Sequence, residues 1–475
     1  MEERVYSLFP GVNLTALRTD RFHRSYFSVN LLRGLSRENA TRNALLMSVL
    51  RRGTRALPDM EKLSEAMDQL YGTSVEPMMR QMGETLAIGF QAVFPDDRFL
   101  PGGEDMLSRV IALTGELLLN PATHGGLLRD EYVRSEGQNL HDRVEAEINN
   151  KRGYAVERLR ELMFAGEPYG VFPLGEAEEA LRIRNQALTK FYREVLSSSP
   201  VELYYCGSAE GNRVADCVRS ALRDLPGGGE RRLPEQGKGA VGGELRHVTE
   251  EMDVEQGNLV IGFRRHRSGD AAHPTLAVFN ELFGGGPASR LFLNVREKRS
   301  LCYYAGSSID RYKEVMLVHA GIGFDRREET EEAIFSELSD LAAGRIDRGE
   351  LETARKGVAT GYLSALDNPG AICAFRMGQG LLGAGGDLRQ FAGEALQICE
   401  GLFGHLSWLI PVCEIMMLPV FIYWFYLQIT GRTVFPRWYA FTNVLIIFAV
   451  LKGLTFLMPV SAFRLGFTNG LMSES

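Results

Sequence analysis

Phe283 to Tyr304 reads FGGGPASRLFLNVREKRSLCYY. The three glycines close an apolar helical run, Pro274 to Phe283, because glycine is the usual residue just past a helix end. Ser289 to Arg299 mixes apolar and basic residues at helical spacing and predicts a second helix. Cys302 to Ser307 then predicts a strand. Outward from this stretch, Asn258–Phe263 (NLVIGF) and Val315–Ile322 (VMLVHAGI) read as strands, and Arg327–Ala343 and Arg348–Leu366 as helices. Strands mixed with helices in this order give an α+β unit.

The same order stands upstream. Tyr26–Leu32 (YFSVNLL) predicts a strand, and Ala44–Leu50 an apolar helix segment. Asp59–Leu70 is amphipathic, with Met60, Leu63, Met67 and Leu70 on one face. Leu86–Phe94 alternates like a strand and stops at Pro95. Met106–Leu119 and Leu127–Met163 read as helical, Val201–Cys206 as a strand, and about Asn212–Asp224 as a helix. Pro226–Gly243 is a linker by its glycine, proline and charge. The chain therefore reads as two copies of one unit, residues 1–225 and 246–395, joined by a linker at 226–245. Each copy is expected to be an antiparallel sheet covered on one face by helices. Only the first copy closes with the strand at Val201 and its helix, so the second is expected to be truncated.

Composition breaks near residue 396. All three tryptophans lie beyond it, and only seven charged residues occur from Leu396 to Ser475. Leu406–Leu427 and Trp438–Met458 are apolar runs of 22 and 21 residues, long enough to cross a bilayer. A transmembrane hairpin is expected there; a buried helical hairpin of a soluble fold is the alternative. Arg432 and Arg437 in the connecting loop oppose the positive-inside tendency, and Glu414 and Lys452 lie within the spans. Residues from about 390 onward thus read as a segment derived from a different integral membrane protein. MEERVYSLFPGVNL has no basic stretch followed by a long apolar one, so no secretory signal is expected, and the part before the tail is placed in the cytoplasm.

Of the 475 residues, 45% are hydrophobic and 24% charged, which are globular values. The net charge of −7 argues against a nucleic-acid binder that relies on bulk positive charge. The six cysteines include no C-x-x-C pair, so free thiols in a reducing compartment are expected. No two of the eight histidines are three to five residues apart, which excludes a local two-histidine helical metal motif. Gly227–Gly229 and Gly284–Gly286 lack a phosphate-loop pattern.

On Phe283–Tyr304 the chain resembles the pitrilysin/insulinase family of zinc peptidases, in its two-repeat, processing-peptidase-like branch; within that branch it is similar to the subgroup associated with elongation factor P modification. In that family a glycine-rich turn precedes S-R-L-F and then R-E-x-R-x-L-x-Y. Active members carry H-x-x-E-H on a first-repeat helix, followed by G-T. Here Gly53 and Thr54 match the G-T, which places Ala44, Met47 and Ser48 at the His, Glu and His positions. Ala and Met have no hard donor and Ser is a poor zinc ligand, so no metal is expected in this chain. The segment at His141, Asp142 and Glu145 is the expected counterpart of the family's more distant glutamate.

The resemblance implies that Arg296 and Tyr303 hydrogen-bond the scissile carbonyl and its oxyanion. It also implies that Gly284, Gly285, Gly286, Ser289 and Arg290 line the bound peptide. Without it, R-E-K-R is a solvated helix face, Tyr303 is core, and the glycines are a helix cap. Two-repeat members often work as heterodimers in which one subunit holds zinc and the other donates Arg and Tyr. The expected function is therefore the non-catalytic, Arg/Tyr-donating subunit of a zinc metallopeptidase acting on peptides or small proteins, with zinc in its partner. A peptidase-like scaffold at a membrane is the alternative, and a self-sufficient enzyme a remote third.

Overall fold

The computed structural model describes residues 1–226, 246–264 and 273–398. The expected transmembrane hairpin and most of the linker lie outside the described residues. Among the described residues, no helix is long and apolar enough to cross a membrane. By contacts the chain divides into two compact units. The first comprises Met1–Gly239 and Leu363–Leu388; the second comprises Ala240–Tyr362 and the chain from Arg389.

The first unit is built on a six-stranded sheet with strand order β1-β2-β8-β3-β5-β4. Its strands are β1 (Glu2–Phe9), β2 (Val12–Arg18), β3 (Arg24–Gly34), β4 (Ser74–Met82), β5 (Thr85–Pro95) and β8 (Val201–Gly207), with a two-stranded hairpin of β6 (Thr123–His124) and β7 (Leu127–Leu128) beside it. The expectation of a purely antiparallel sheet needs correction, because β8 runs parallel to β2 and antiparallel to β3. The returning chain enters the sheet between two strands that are neighbours in sequence. The two edge strands carry Glu2, Glu3 and Arg4 (β1) and Glu76, Pro77 and Arg80 (β4). Charge and proline protect open edges, and the same residues weaken the alternating pattern by which a strand is read.

Its helices are α1 (Arg37–Leu50), α2 (Met60–Asp68), α3 (Met106–Leu119), α4 (Asp130–Ala146), α5 (Lys151–Met163), α6 (Ala177–Arg182), α7 (Asn185–Ser198) and α8 (Gly211–Ala221). Helix α2 starts where expected, with the Asp59 carboxylate accepting from the Lys62 amide at 2.9 Å. Leu127–Met163, read as one helix, is broken at Asn150, whose side chain accepts from the Gly153 amide at 3.1 Å and starts α5 afresh. Phe27, Val29 and Leu31 of β3 are each 1% exposed and join the core with α1, α3 and α7.

The second unit has a three-stranded antiparallel sheet of order β10-β11-β9, formed by β9 (Gly257–Arg264), β10 (Cys302–Asp310) and β11 (Val315–Ile322). Helices α9 (His273–Asn280), α10 (Arg327–Ala342) and α11 (Arg348–Ala365) accompany it. Phe263, Met316, Val318 and Ala320 bury one sheet face with Ile334, Leu338 and Leu341 of α10. His273 opens α9 with Nδ1 2.8 Å from the Tyr362 hydroxyl and its ring 5.5 Å from that of Phe391.

Helix α12 (Pro369–Leu382), read with the second repeat, groups instead with the first unit. It lies against β8 and β3, where Gly370 faces the Tyr26 ring and Arg376 pairs with Glu3. Asn368 caps its start at 3.1 Å and the left-handed Gly383 ends it. Helix α13 (Leu388–Gln397) follows, and Ala395 and Ile398 return to the core of the second unit.

Candidate functional site

The site is built from the glycine turn upward. After α9 the backbone widens into π-helical turns over Glu281–Gly285 and again over Leu291–Lys298, where ordinary α-helix was expected. The Arg299 amide donates to the Asn294 carbonyl at 3.2 Å, five residues back. Such turns are rare and concentrate at functional sites.

Crowding explains the glycines. A Cβ on Gly284 would sit 2.6 Å from both the amide nitrogen and the hydroxyl oxygen of Ser307. One on Gly286 would sit 2.2 Å from the Glu281 carboxylate. The room they leave is taken by this chain's own atoms. Ser307 donates to the Asn280 side-chain oxygen at 2.9 Å, which ties β10 to the turn. Burial holds the Glu281 carboxyl above its ordinary range. Gly285 alone of the three is exposed.

Arg296 and Tyr303 are brought together. The Arg296 Nε donates to the Tyr303 carbonyl at 2.8 Å, its guanidinium lies 4.6 Å from the centre of the Phe292 ring, and Glu297 pairs with it at 3.2 Å. Between them Ser300 takes a left-handed φ of 51°. Pairing with β11 steps from Cys302↔Ile322 to Tyr304↔Gly321, so Tyr303 is the extra residue of a β-bulge. A bulge frees a carbonyl from the ladder and re-aims a side chain. Here the freed carbonyl goes to Arg296 and the phenol, 70% exposed, points to solvent. Beside the guanidinium, burial pushes the Cys302 thiol up to about 11, so it is no nucleophile at neutral pH.

The other expected site residues turn inward. Ser289 is fully buried and its hydroxyl accepts from the Phe292 amide at 3.4 Å. Arg290 is 8% exposed, donates to the Arg345 carbonyl at 2.5 Å and the Glu350 carboxylate at 2.8 Å, and pairs with Glu337 at 4.0 Å. These contacts fix the turn; neither side chain is presented to a ligand. What the sequence did not reveal is the bulge, since period-2 patterning registers a strand but not an inserted residue.

At the degenerate zinc motif, Ala44 and Met47 are 5% and 4% exposed in the core of the first unit. The Ser48 hydroxyl donates back to the Ala44 carbonyl at 3.2 Å. The donor set does not fit a zinc ion. Among the described residues, no group of three or more His, Cys, Asp or Glu side chains is placed to hold a metal. His141 lies 3.0 Å from Asp142 and 3.9 Å from Glu178 of α6. The α4 carboxylate held against the end of α1 is Glu136, which pairs with Arg52 at 3.0 Å. Gly53 and Thr54 persist for backbone reasons. A Cβ on Gly53 would lie 2.6 Å from the Leu57 carbonyl, and the Thr54 hydroxyl accepts from the Leu57 amide at 3.0 Å.

Residues 182–358, which include the glycine turn and the bulge, match the family model described as Peptidase M16 inactive domain. The chain is 29% identical over 368 residues to the probable inactive metalloprotease YmfF of Bacillus subtilis strain 168, covering 77% of this chain and 85% of that protein. It is a homologue of the M16 zinc proteases. The uncharacterized zinc protease Rv2782c of Mycobacterium tuberculosis H37Rv is 24% identical over 209 residues, 43% of this chain and 48% of that one. A conserved protein from Enterococcus faecalis V583 superposes with a TM-score of 0.74 at 25% identity, over 84% of this chain and 94% of its own. The peptidase M16 inactive domain from Pseudomonas fluorescens shares the fold, with a TM-score of 0.68 at 16% identity over 86% and 95%. This M16 homologue therefore has the expected α+β peptidase-like fold, and its affinities are with an inactive member of the family.

Proposed function

We propose that this M16 homologue is the Arg/Tyr-donating subunit of a heterodimeric zinc peptidase that acts on peptides or small proteins. The observation that carries the reading is the bulge at Tyr303. One backbone irregularity both exposes the phenol and binds the guanidinium, so two anion-holding donors are set as a pair. Preorganised donors of this kind stabilise a tetrahedral oxyanion, and removing one lowers turnover by about 10²–10³. Neither donor acts without a metal-activated water, and Ala44, Met47 and Ser48 do not fit zinc. The metal and the donors must then meet at one carbonyl from two subunits. Gly285, the exposed glycine of the turn, is the part of the expected peptide-lining set that is open to a ligand backbone.

The test is Arg296→Ala in a pair reconstituted with a homologous subunit that retains H-x-x-E-H. Turnover falling by about a hundredfold with assembly intact supports the reading. Unchanged turnover overturns it in favour of a scaffold without hydrolytic role. Attachment to a membrane through the apolar tail is a separate part of the proposal. It rests on the composition of residues 396–475 and is tested by alkaline extraction of membranes from cells that make the full chain.

A further inference from the structure

Two buried thiols meet where α12 covers the sheet of the first unit. Along β8 the side chains of Leu203 and Tyr205 enter the main core, so Tyr204 and Cys206 face the opposite way. On that face Cys206 stands beside Tyr26 of β3, its partner in the ladder. The Tyr26 ring in turn lies against Gly370 of α12, where an added Cβ would come within 3.1 Å of it. Cys373 follows Gly370 by about one helical turn and so shares its face. Its surroundings agree from three directions: it neighbours Tyr26, Tyr204 and the Cys206 thiol itself.

Both cysteines are free, and they are 0% and 2% exposed. Burial first, and the Cys206 thiol second, hold the Cys373 thiol well above its ordinary range. A thiol so placed stays protonated and inert while α12 is docked. The helix also holds a particular place in the chain. With its flanks, Leu363–Leu388, it belongs to the first unit, although Tyr362 before it and Arg389 after it belong to the second. It buries Ile372 and Met377 and pairs Arg376 with Glu3 of β1. A bond between Cys206 and Cys373 would close a loop that contains the linker and Ala240–Tyr362, and cross-links over long loops constrain the unfolded chain most.

We propose that Cys206 and Cys373 are a reversible disulfide pair that staples α12 to β8 when the surroundings turn oxidising. The oxidant is a low-molecular-weight disulfide of the glutathione class. When α12 lifts, one cysteine gives up its proton to solvent and its thiolate attacks the small disulfide. The S–S bond of that molecule breaks, and one small thiolate leaves and takes up a proton. The second protein thiolate then attacks the mixed disulfide and expels the other small thiol. Two protein thiols are oxidised to one disulfide, and one small disulfide is reduced to two thiols. Excess small thiol runs the same steps backwards. This inference does not depend on the peptidase reading.

The test holds the full chain in buffers of reduced and oxidised glutathione, both as the folded protein and during refolding from urea. Free thiols are then alkylated under denaturing conditions, and cross-linked peptides are identified by mass spectrometry. Refolding exposes both thiols to the oxidant, so burial cannot mask the result. A Cys206–Cys373 disulfide is expected to dominate over every other pairing and to be reversed by excess reduced glutathione. In the oxidised chain the amides of α12 should exchange hydrogen at least about tenfold more slowly than in the reduced one. Cys206→Ala, treated identically, should show no such slowing, whereas Cys217→Ala should keep it; Cys373→Ala replaces the first variant if that one does not fold. Recovery of both thiols after refolding in the oxidising buffer overturns the proposal and leaves the two residues as packing alone. So does preferential pairing with another cysteine, or a cross-link that leaves exchange of α12 unchanged.

Discussion

Acid should weaken the second unit through one histidine. His273 begins α9, largely buried, with Nδ1 2.8 Å from the Tyr362 hydroxyl and its ring against Phe391. Burial first, and the nearby Arg311 guanidinium second, lower its pKa from 6.5 to about 4. The folded form excludes a proton that the unfolded chain accepts. Stability from this group is therefore complete above about pH 6.5 and is lost as pH falls toward 4. The interval corresponds to about 3 kcal/mol. Hydrogen exchange of the β11 amides, measured from pH 7.5 to pH 4.5, reports on this unit alone. The difference between the native chain and His273→Gln isolates the histidine from carboxylates that titrate in both. That difference should be level near neutrality and shrink by about 2–3 kcal/mol at the acid end. A difference that stays level to pH 4.5 would show that His273 takes up its proton without cost, and the burial argument would fail.

Four substitutions examine the turn and the candidate site. Gly284→Ala forces a methyl against Ser307 and should destabilise the second unit by about 2–3 kcal/mol in urea, while Gly285→Ala, facing the movable ends of Asn280 and Glu281, should cost about 1 kcal/mol; equal costs would mean that β10 yields easily. Arg290→Met leaves Glu337, 6% exposed, without its guanidinium and should cost about 3 kcal/mol, where a loss below about 1 kcal/mol would return Arg290 to the ligand-facing set. Tyr303→Phe removes only an exposed hydroxyl and should leave the urea midpoint unchanged while lowering turnover of the reconstituted pair.

Much of this architecture is legible in the chain because burial on a sheet leaves a pattern. β3, β5, β8, β9 and β11 carry apolar runs or alternation and lie close to where they are read. The edge strands β1 and β4 do not, because the charges and proline that protect an edge erase that pattern. Asn150 breaks a long helical reading through a cap that composition does not register. Helix α12 shows a different limit: its residues are read only as part of the second repeat, and nothing local in them points to the sheet they cover, since Gly370 and Tyr26 are hundreds of residues apart. At the candidate site, Arg296 and Tyr303 were found through a family pattern, and the structure supplies their physical link in a bulge and a carbonyl. Ser289 and Arg290 belong to the same pattern for another reason, since they hold the turn from inside.

The central claim is complementarity, with anion-holding donors in this chain and the metal in another. Zinc content and peptidase activity of the purified full chain, measured together after equilibration with zinc, test it most directly. The account predicts far less than one equivalent of retained zinc and no cleavage that a chelator abolishes. One tightly held equivalent, with chelator-sensitive cleavage by the chain alone, would contradict it.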